Sequence, residues 1–162
     1  MLIAVQSAEM KELGSQYDLL IRQARSLLRG QTHRIANAAN LSALIFQELE
    51  DLNWAGFYFR EGEILMLGPF QGKPACVSIA VGRGVCGMAV ASGQTQRVAD
   101  VHAFEGHIAC DVASRSEIVV PLVRDDSVIG VLDIDSPVLD RFSAQDQAGV
   151  EALAQVYIES LG

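Results

Sequence analysis

The sequence predicts an α+β domain: a central antiparallel sheet of about six strands, with the N- and C-terminal helices packed on one face. Three observations predict it. Apolar residues recur at helical spacing near both ends of the chain. The middle holds two pairs of strand-like runs, each joined by a two-residue turn signal. No strand–helix–strand unit is evident, so the sheet reads as antiparallel rather than doubly wound.

The elements follow in order. Tyr17, Leu20, Ile21, Ala24, Leu27 and Leu28 trace a first helical stripe, and Gly30 follows as its stop. Thr32 is placed to cap a second helix with Ile35, Ala38, Ala39, Ser42, Ile45, Leu49 and Leu52 on its apolar face. Runs 53–60 and 63–69 form a hairpin about Glu61-Gly62. A short strand is expected over 76–81. Gly82 to Ala89 then reads as a turn leading into a short helix, and 94–99 as another short strand. Residues 99–116 have no clean period, and loops of that length are often lids or binding loops. Runs 117–124 and 127–135 flank Asp125-Asp126 as a second hairpin. Ser143 caps the last helix, with Asp146 three residues on as a weak capping-box relative. Val150, Leu153, Ala154, Tyr157 and Leu161 form that helix's apolar stripe.

At 162 residues and 50% apolar composition, one domain can bury a core without disulfides or a structural metal. The formal charge is 12 − 20 = −8. That excludes nucleic acid and an anionic membrane as main partners, since both need a basic patch. No stretch is long and apolar enough for a membrane span, and residues 1–10 lack the basic start of a signal peptide. A cytoplasmic location with reduced thiols is therefore expected. No cofactor is expected. Gly82, Gly84 and Gly87 have dinucleotide-loop spacing, but the strand–helix–strand unit and the ribose-binding acid are missing. The Lys-Ser/Thr ending of a phosphate loop is missing too. Cys76, Cys86 and Cys110 do not combine with His33, His102 and His107 into a finger-like zinc site.

Three groups could carry chemistry. On a strand Trp54, Gly56 and Tyr58 share one face, and a glycine between two aromatics leaves a gap that suits a methyl group, a sulfur or a cation. The plainer role is core packing of both rings. Asp133 and Asp135 share a strand face at the end of an apolar run, with Glu117 opening the neighbouring strand. Such crowded carboxylates need hydrogen-bond donors, an ammonium group or a metal ion to satisfy them; the alternative is a solvated strand end. Cys86 sits near a helix start, where backbone N–H groups lower a thiol's pKa. Cys110 lies in the long loop beside Asp111, and Cys76 precedes a strand. Two cysteines in glycine-containing segments could form a disulfide, or all three could be inert.

Gly82 to Ala89, Gly93, Pro121-Leu122, Val128 to Leu132 and Arg141-Phe142-Ser143 with Asp146 resemble the GAF domain pattern. Within it, residues 53–58, 67–76, 84–87, 107–111 and 132–137 are similar to the motifs of the free methionine-(R)-sulfoxide reductases. The resemblance spans about 17–161 of a single domain covering 1–162. It implies reduction of free L-methionine (R)-sulfoxide, with Cys110 as nucleophile and Cys76 or Cys86, Cys76 by slight preference, as resolving thiol. It implies a sulfenic acid resolved to a disulfide that thioredoxin reduces, as part of an oxidative-stress response. Glu117, Asp133 and Asp135 would hold the ammonium group and protonate the sulfoxide oxygen, and Trp54 and Tyr58 would wall the methyl–sulfur end. GAF domains often pair through N-terminal helices, so a homodimer is expected. The competing readings are a small-ligand sensor and a redox switch without turnover.

Overall fold

The computed structural model describes residues 2–108 and 110–162, without the side chains of residues 2–4. Ala109, inside one of the motifs above, lies outside the described residues. Helix α1 (Leu2–Leu28) and helix α2 (Arg34–Glu48) lead into strands β1 (Trp54–Glu61), β2 (Ile64–Gly72) and β3 (Ser78–Ala80). Helix α3 (Gly84–Ser92), strand β4 (Gln96–Val98), a 3-10 turn (Val101–Ala103), strands β5 (Ser116–Arg124) and β6 (Ser127–Ser136), and helix α4 (Ala144–Ser160) complete the chain.

The sheet is six-stranded, in the order β3-β2-β1-β6-β5-β4, and every neighbouring pair is antiparallel. Asp125 and Asp126 both take positive φ, 49° and 61°, which matches the right-handed twist of the β5–β6 hairpin. The long segment between β4 and β5 is irregular but anchored. Val101 is fully buried, its N–H bonds Arg115 O at 2.9 Å, and Arg115 N–H bonds Ser136 O at 2.8 Å.

Strand alternation divides the side chains into two cores. Ala55, Phe57, Phe59, Ile118, Val120, Leu122, Leu132 and Ile134 face α1, α2 and α4. Trp54, Tyr58, Leu65, Val119 and Val131 face the other way, toward α3. Tyr157 of α4 sits on Phe57 with ring centroids 4.7 Å apart. The stripes read from the sequence lie inward at Tyr17, Leu20, Ala24, Ala38, Ser42, Ile45, Val150 and Leu153, but Leu27, Ile35 and Ala39 of those stripes are exposed, and Leu41, outside the reading, is fully buried.

One cap differs from expectation and one is as expected. His33, not Thr32, caps α2: its extended backbone lets Nδ1 accept from the Ala36 N–H at 3.4 Å. At α4 the capping box is complete, because the short Asp146 side chain still reaches back to the Ser143 N–H. Asp146 also accepts from Tyr17 Oη at 2.8 Å and Arg141 Nη1 at 3.3 Å. It thereby ties the first helix to the last. The α1–α4 packing is close enough that a side chain at Gly149 would collide with the Tyr17 ring.

Candidate functional site

The face turned away from α1, α2 and α4 carries a cavity of about 40 Å³. Antiparallel register builds it. Asp135 lies opposite both Trp54 of β1 and Glu117 of β5, and Asp133 lies opposite Gly56 and Val119. Residues from three strands are thus placed side by side, although 63 positions separate Trp54 from Glu117. The start of α3, the 73–76 segment and the loop before β5 close the cavity over them.

Trp54 and Tyr58 both line the cavity and both are buried. Their rings stack at 5.9 Å between centroids. The gap expected at Gly56 is not open: Phe70 of β2 lies directly over it, and a Cβ there would collide with the Phe70 Cβ. Gly56 serves close approach of β1 and β2, and Phe70 extends the stack on Trp54 at 5.2 Å. The polar ends of the two aromatics hold the segment beyond β2. Trp54 Nε1 donates to Lys73 O at 3.2 Å, and Tyr58 Oη donates to Cys76 O at 2.8 Å.

That segment carries Cys76, which is disulfide-bonded to Cys110 with Cα atoms 5.5 Å apart. Between Cys76 and Cys86 as partner for Cys110, the structure pairs Cys76. Cys86 is buried beneath, and its thiol donates to Asp133 Oδ2 at 3.3 Å with Glu117 Oε1 at 3.9 Å. The expectation that the helix start lowers its pKa is reversed. Burial pushes the Cys86 thiol well up, and the charges of Asp133 and Glu117 push it further.

The carboxylates are pushed up as well. Burial raises Asp133 to about 6, with hydrogen bonds from Glu117 and Cys86 favouring its charged form. Glu117 is held well above the usual carboxylate range by burial and then by the charges of Asp133 and Asp135. Asp135, half-buried against the cavity, is raised by burial and by Asp133. The Glu117–Asp133 hydrogen bond favours a proton on Glu117 and charge on Asp133. Asp133 Oδ1 is buried with no hydrogen-bond partner among the described residues.

Four residues outside the expected site set complete the site. Asn53 Nδ2 donates to Asp111 Oδ2 and to Ser114 Oγ, each at 3.0 Å, and so fixes the Cys110 loop to β1. Ser114 in turn bonds Asp135. His107 lines the cavity with its pKa lowered by burial and by His102, and Arg83 lines it from the start of α3. No sequence period marks them, because all four sit in or beside irregular backbone. Cys86 Sγ and the carboxylates of Glu117 and Asp133 present oxygen and sulfur atoms within 4.8 Å of one another, a set that could hold a divalent cation.

A buried acidic cluster beneath a disulfide, on the open face of a six-stranded sheet, defines the site. The GAF domain family model matches residues 36–157. The chain is 58% identical over 137 residues to the free methionine-R-sulfoxide reductase of Escherichia coli, covering 85% of this chain and 83% of that one. The chain belongs to the free methionine-R-sulfoxide reductase family. The Saccharomyces cerevisiae member is 42% identical over 149 residues, 87% of this chain and 83% of that one. A solved structure of the Neisseria meningitidis member in complex with its substrate is 41% identical. It superposes with a TM-score of 0.88 over 91% of this chain and 89% of that one. Among the described residues no helix is long and apolar enough to cross a membrane.

Proposed function

We propose that this chain reduces free L-methionine (R)-sulfoxide to L-methionine. The observation that carries the reading is the Cys76–Cys110 disulfide standing over buried Glu117, Asp133 and Asp135. The Cys110 thiolate attacks the sulfoxide sulfur while Glu117, kept protonated by its surroundings, gives its proton to the sulfoxide oxygen. Methionine leaves with its sulfur reduced, and Cys110 retains the oxygen as a sulfenic acid. The Cys76 thiol attacks that sulfur, water departs, and the disulfide of the structure results. A thioredoxin dithiol reduces it by exchange and is itself oxidised. Charged Asp133 holds the substrate's ammonium group, and Asp135 assists it. Trp54 and Tyr58 wall the methyl–sulfur end.

Cys86 is a poor first partner for Cys110, because its thiolate is disfavoured among carboxylates. It stands as a reserve thiol below the disulfide. At about 40 Å³ the cavity holds only a few waters, so the disulfide form is the product form and reduction frees the loop to admit substrate. The reading extends to a cytoplasmic enzyme acting under oxidative stress. It extends also to a homodimer joined through α1, whose Val5, Met10 and Leu19 are exposed.

The test is methionine release from the free (R)- and (S)-sulfoxides with a thioredoxin recycling system, wild type beside Cys110→Ser. Turnover of the R form alone, lost in the variant, supports the reading. Turnover surviving in Cys110→Ser moves the nucleophile to another cysteine. No turnover of either form leaves a ligand-binding module.

A further inference from the structure

The scheme above gives the substrate's ammonium group a partner and its carboxylate none. A free amino acid brings both, and a carboxylate is repelled by charged Asp133 and finds no cation in Glu117 or Asp135. Every other charged group lining the cavity is an acid, except Arg83, and His107 is held toward its neutral form. Arg83 stands at the N-cap position of α3, where its side chain makes no capping bond. Its guanidinium has no hydrogen-bond or ion-pair partner among the described residues, and the residue is exposed at the cavity's edge. Gly82 at φ 84° and Gly84 at φ 60° flank it, left-handed turns that hold Arg83 extended between them. Gly84 also packs against Ile108, so the residue's backbone is fixed to the Cys110 loop.

We propose that Arg83 is a specificity-determining residue that binds the α-carboxylate of the substrate. This rests on the reductase reading and assigns the amino-acid end of the same site. A guanidinium presents paired donors that match a carboxylate, and it stays charged at any working pH. The substrate then spans the cavity with opposite charges at opposite places. Its carboxylate meets Arg83 at the mouth, and its ammonium and sulfoxide groups meet the acids beneath. A sulfoxide lacking either charge loses one anchor.

The experiment compares two substrates with wild type, Arg83→Gln and Arg83→Lys. One is free methionine (R)-sulfoxide. The other is 3-(methylsulfinyl)propan-1-amine, which keeps the ammonium and sulfoxide groups and lacks the carboxylate. Arg83→Gln is expected to raise KM for methionine sulfoxide roughly 10- to 100-fold, the worth of a charge-assisted hydrogen bond, with kcat nearly unchanged. The decarboxylated amine is expected to react equally with wild type and Arg83→Gln, and Arg83→Lys to recover part of the loss. An unchanged KM for methionine sulfoxide in Arg83→Gln overturns the proposal, as does an equal loss on both substrates. If wild type reduces neither sulfoxide, the reductase reading falls and this assignment falls with it.

Discussion

Replacing Asp133 with Asn should stabilise the protein at neutral pH while removing its activity. The carboxyl is buried and its pKa rises from 3.8 to about 6 in the fold. A folded pKa above the unfolded one means the folded state binds the extra proton. Stability is therefore full below about 3.8 and is lost as pH rises to about 6. A displacement from 3.8 to about 6 corresponds to roughly 3 kcal/mol at 1.36 kcal/mol for each pH unit. Asn keeps a carbonyl to accept from the Cys86 thiol and an amide to donate to Glu117, but carries no charge. Asp133→Asn should thus gain about 3 kcal/mol over wild type at pH 7.5, or roughly 6–12 °C in Tm for a domain of this size, and little at pH 3.5. Glu117 and Asp135 lose a neighbouring charge as well, which adds in the same direction. The assay is denaturant unfolding of both disulfide-bonded proteins across pH 3.5–8, beside turnover. Equal stability at pH 7.5, or a gain that does not grow with pH, refutes the reasoning.

Other outcomes follow from the same geometry. N-acetyl-methionine sulfoxide, with an amide in place of the ammonium group, should be turned over about 10⁴-fold less efficiently, because it leaves a buried charge unpaired. Comparable turnover of free and acetylated forms would rule out recognition by the acidic cluster. In the disulfide form, a thiol reagent should find no reactive group in the native protein and one, Cys86, after unfolding. Cys76→Ser should stall after one turnover with thioredoxin, and Cys86→Ser should slow turnover less; the reverse order would make Cys86 the resolving thiol. Tyr17→Phe should cost about 1 kcal/mol, since Asp146 keeps its bonds from Ser143 and Arg141. A much larger loss in urea unfolding would show that the hydroxyl does more than join α1 to α4.

The alternating and helical stripes were enough to place the two hairpins, the terminal helices and the face on which Trp54, Glu117, Asp133 and Asp135 stand. The period of a strand is two, so a carboxylate two positions from another must share its face. The motif resemblance added the chemistry that composition and spacing could not supply. The pairing register, the closure of the cavity and the choice between cysteines belong to contacts between distant segments. Phe70 filling the space at Gly56 depends on how β2 pairs with β1, and no local signal in β1 reports it.

The sequence by itself determined the fold class and the residue types that meet on one face, because periodicity and turn chemistry are local, and its motifs carried the family resemblance. Tertiary structure decided which thiol pairs with Cys110 and pushed the buried acids toward their protonated forms. It also brought Arg83 and Asn53 to the site. Those outcomes turn on burial and on distances of a few ångströms between groups far apart in the chain. A thiol near a helix start reads as activated, yet Cys86 is the opposite once it is buried against Asp133 and Glu117. Desolvation is set by everything that packs around a group, and only the folded chain supplies that.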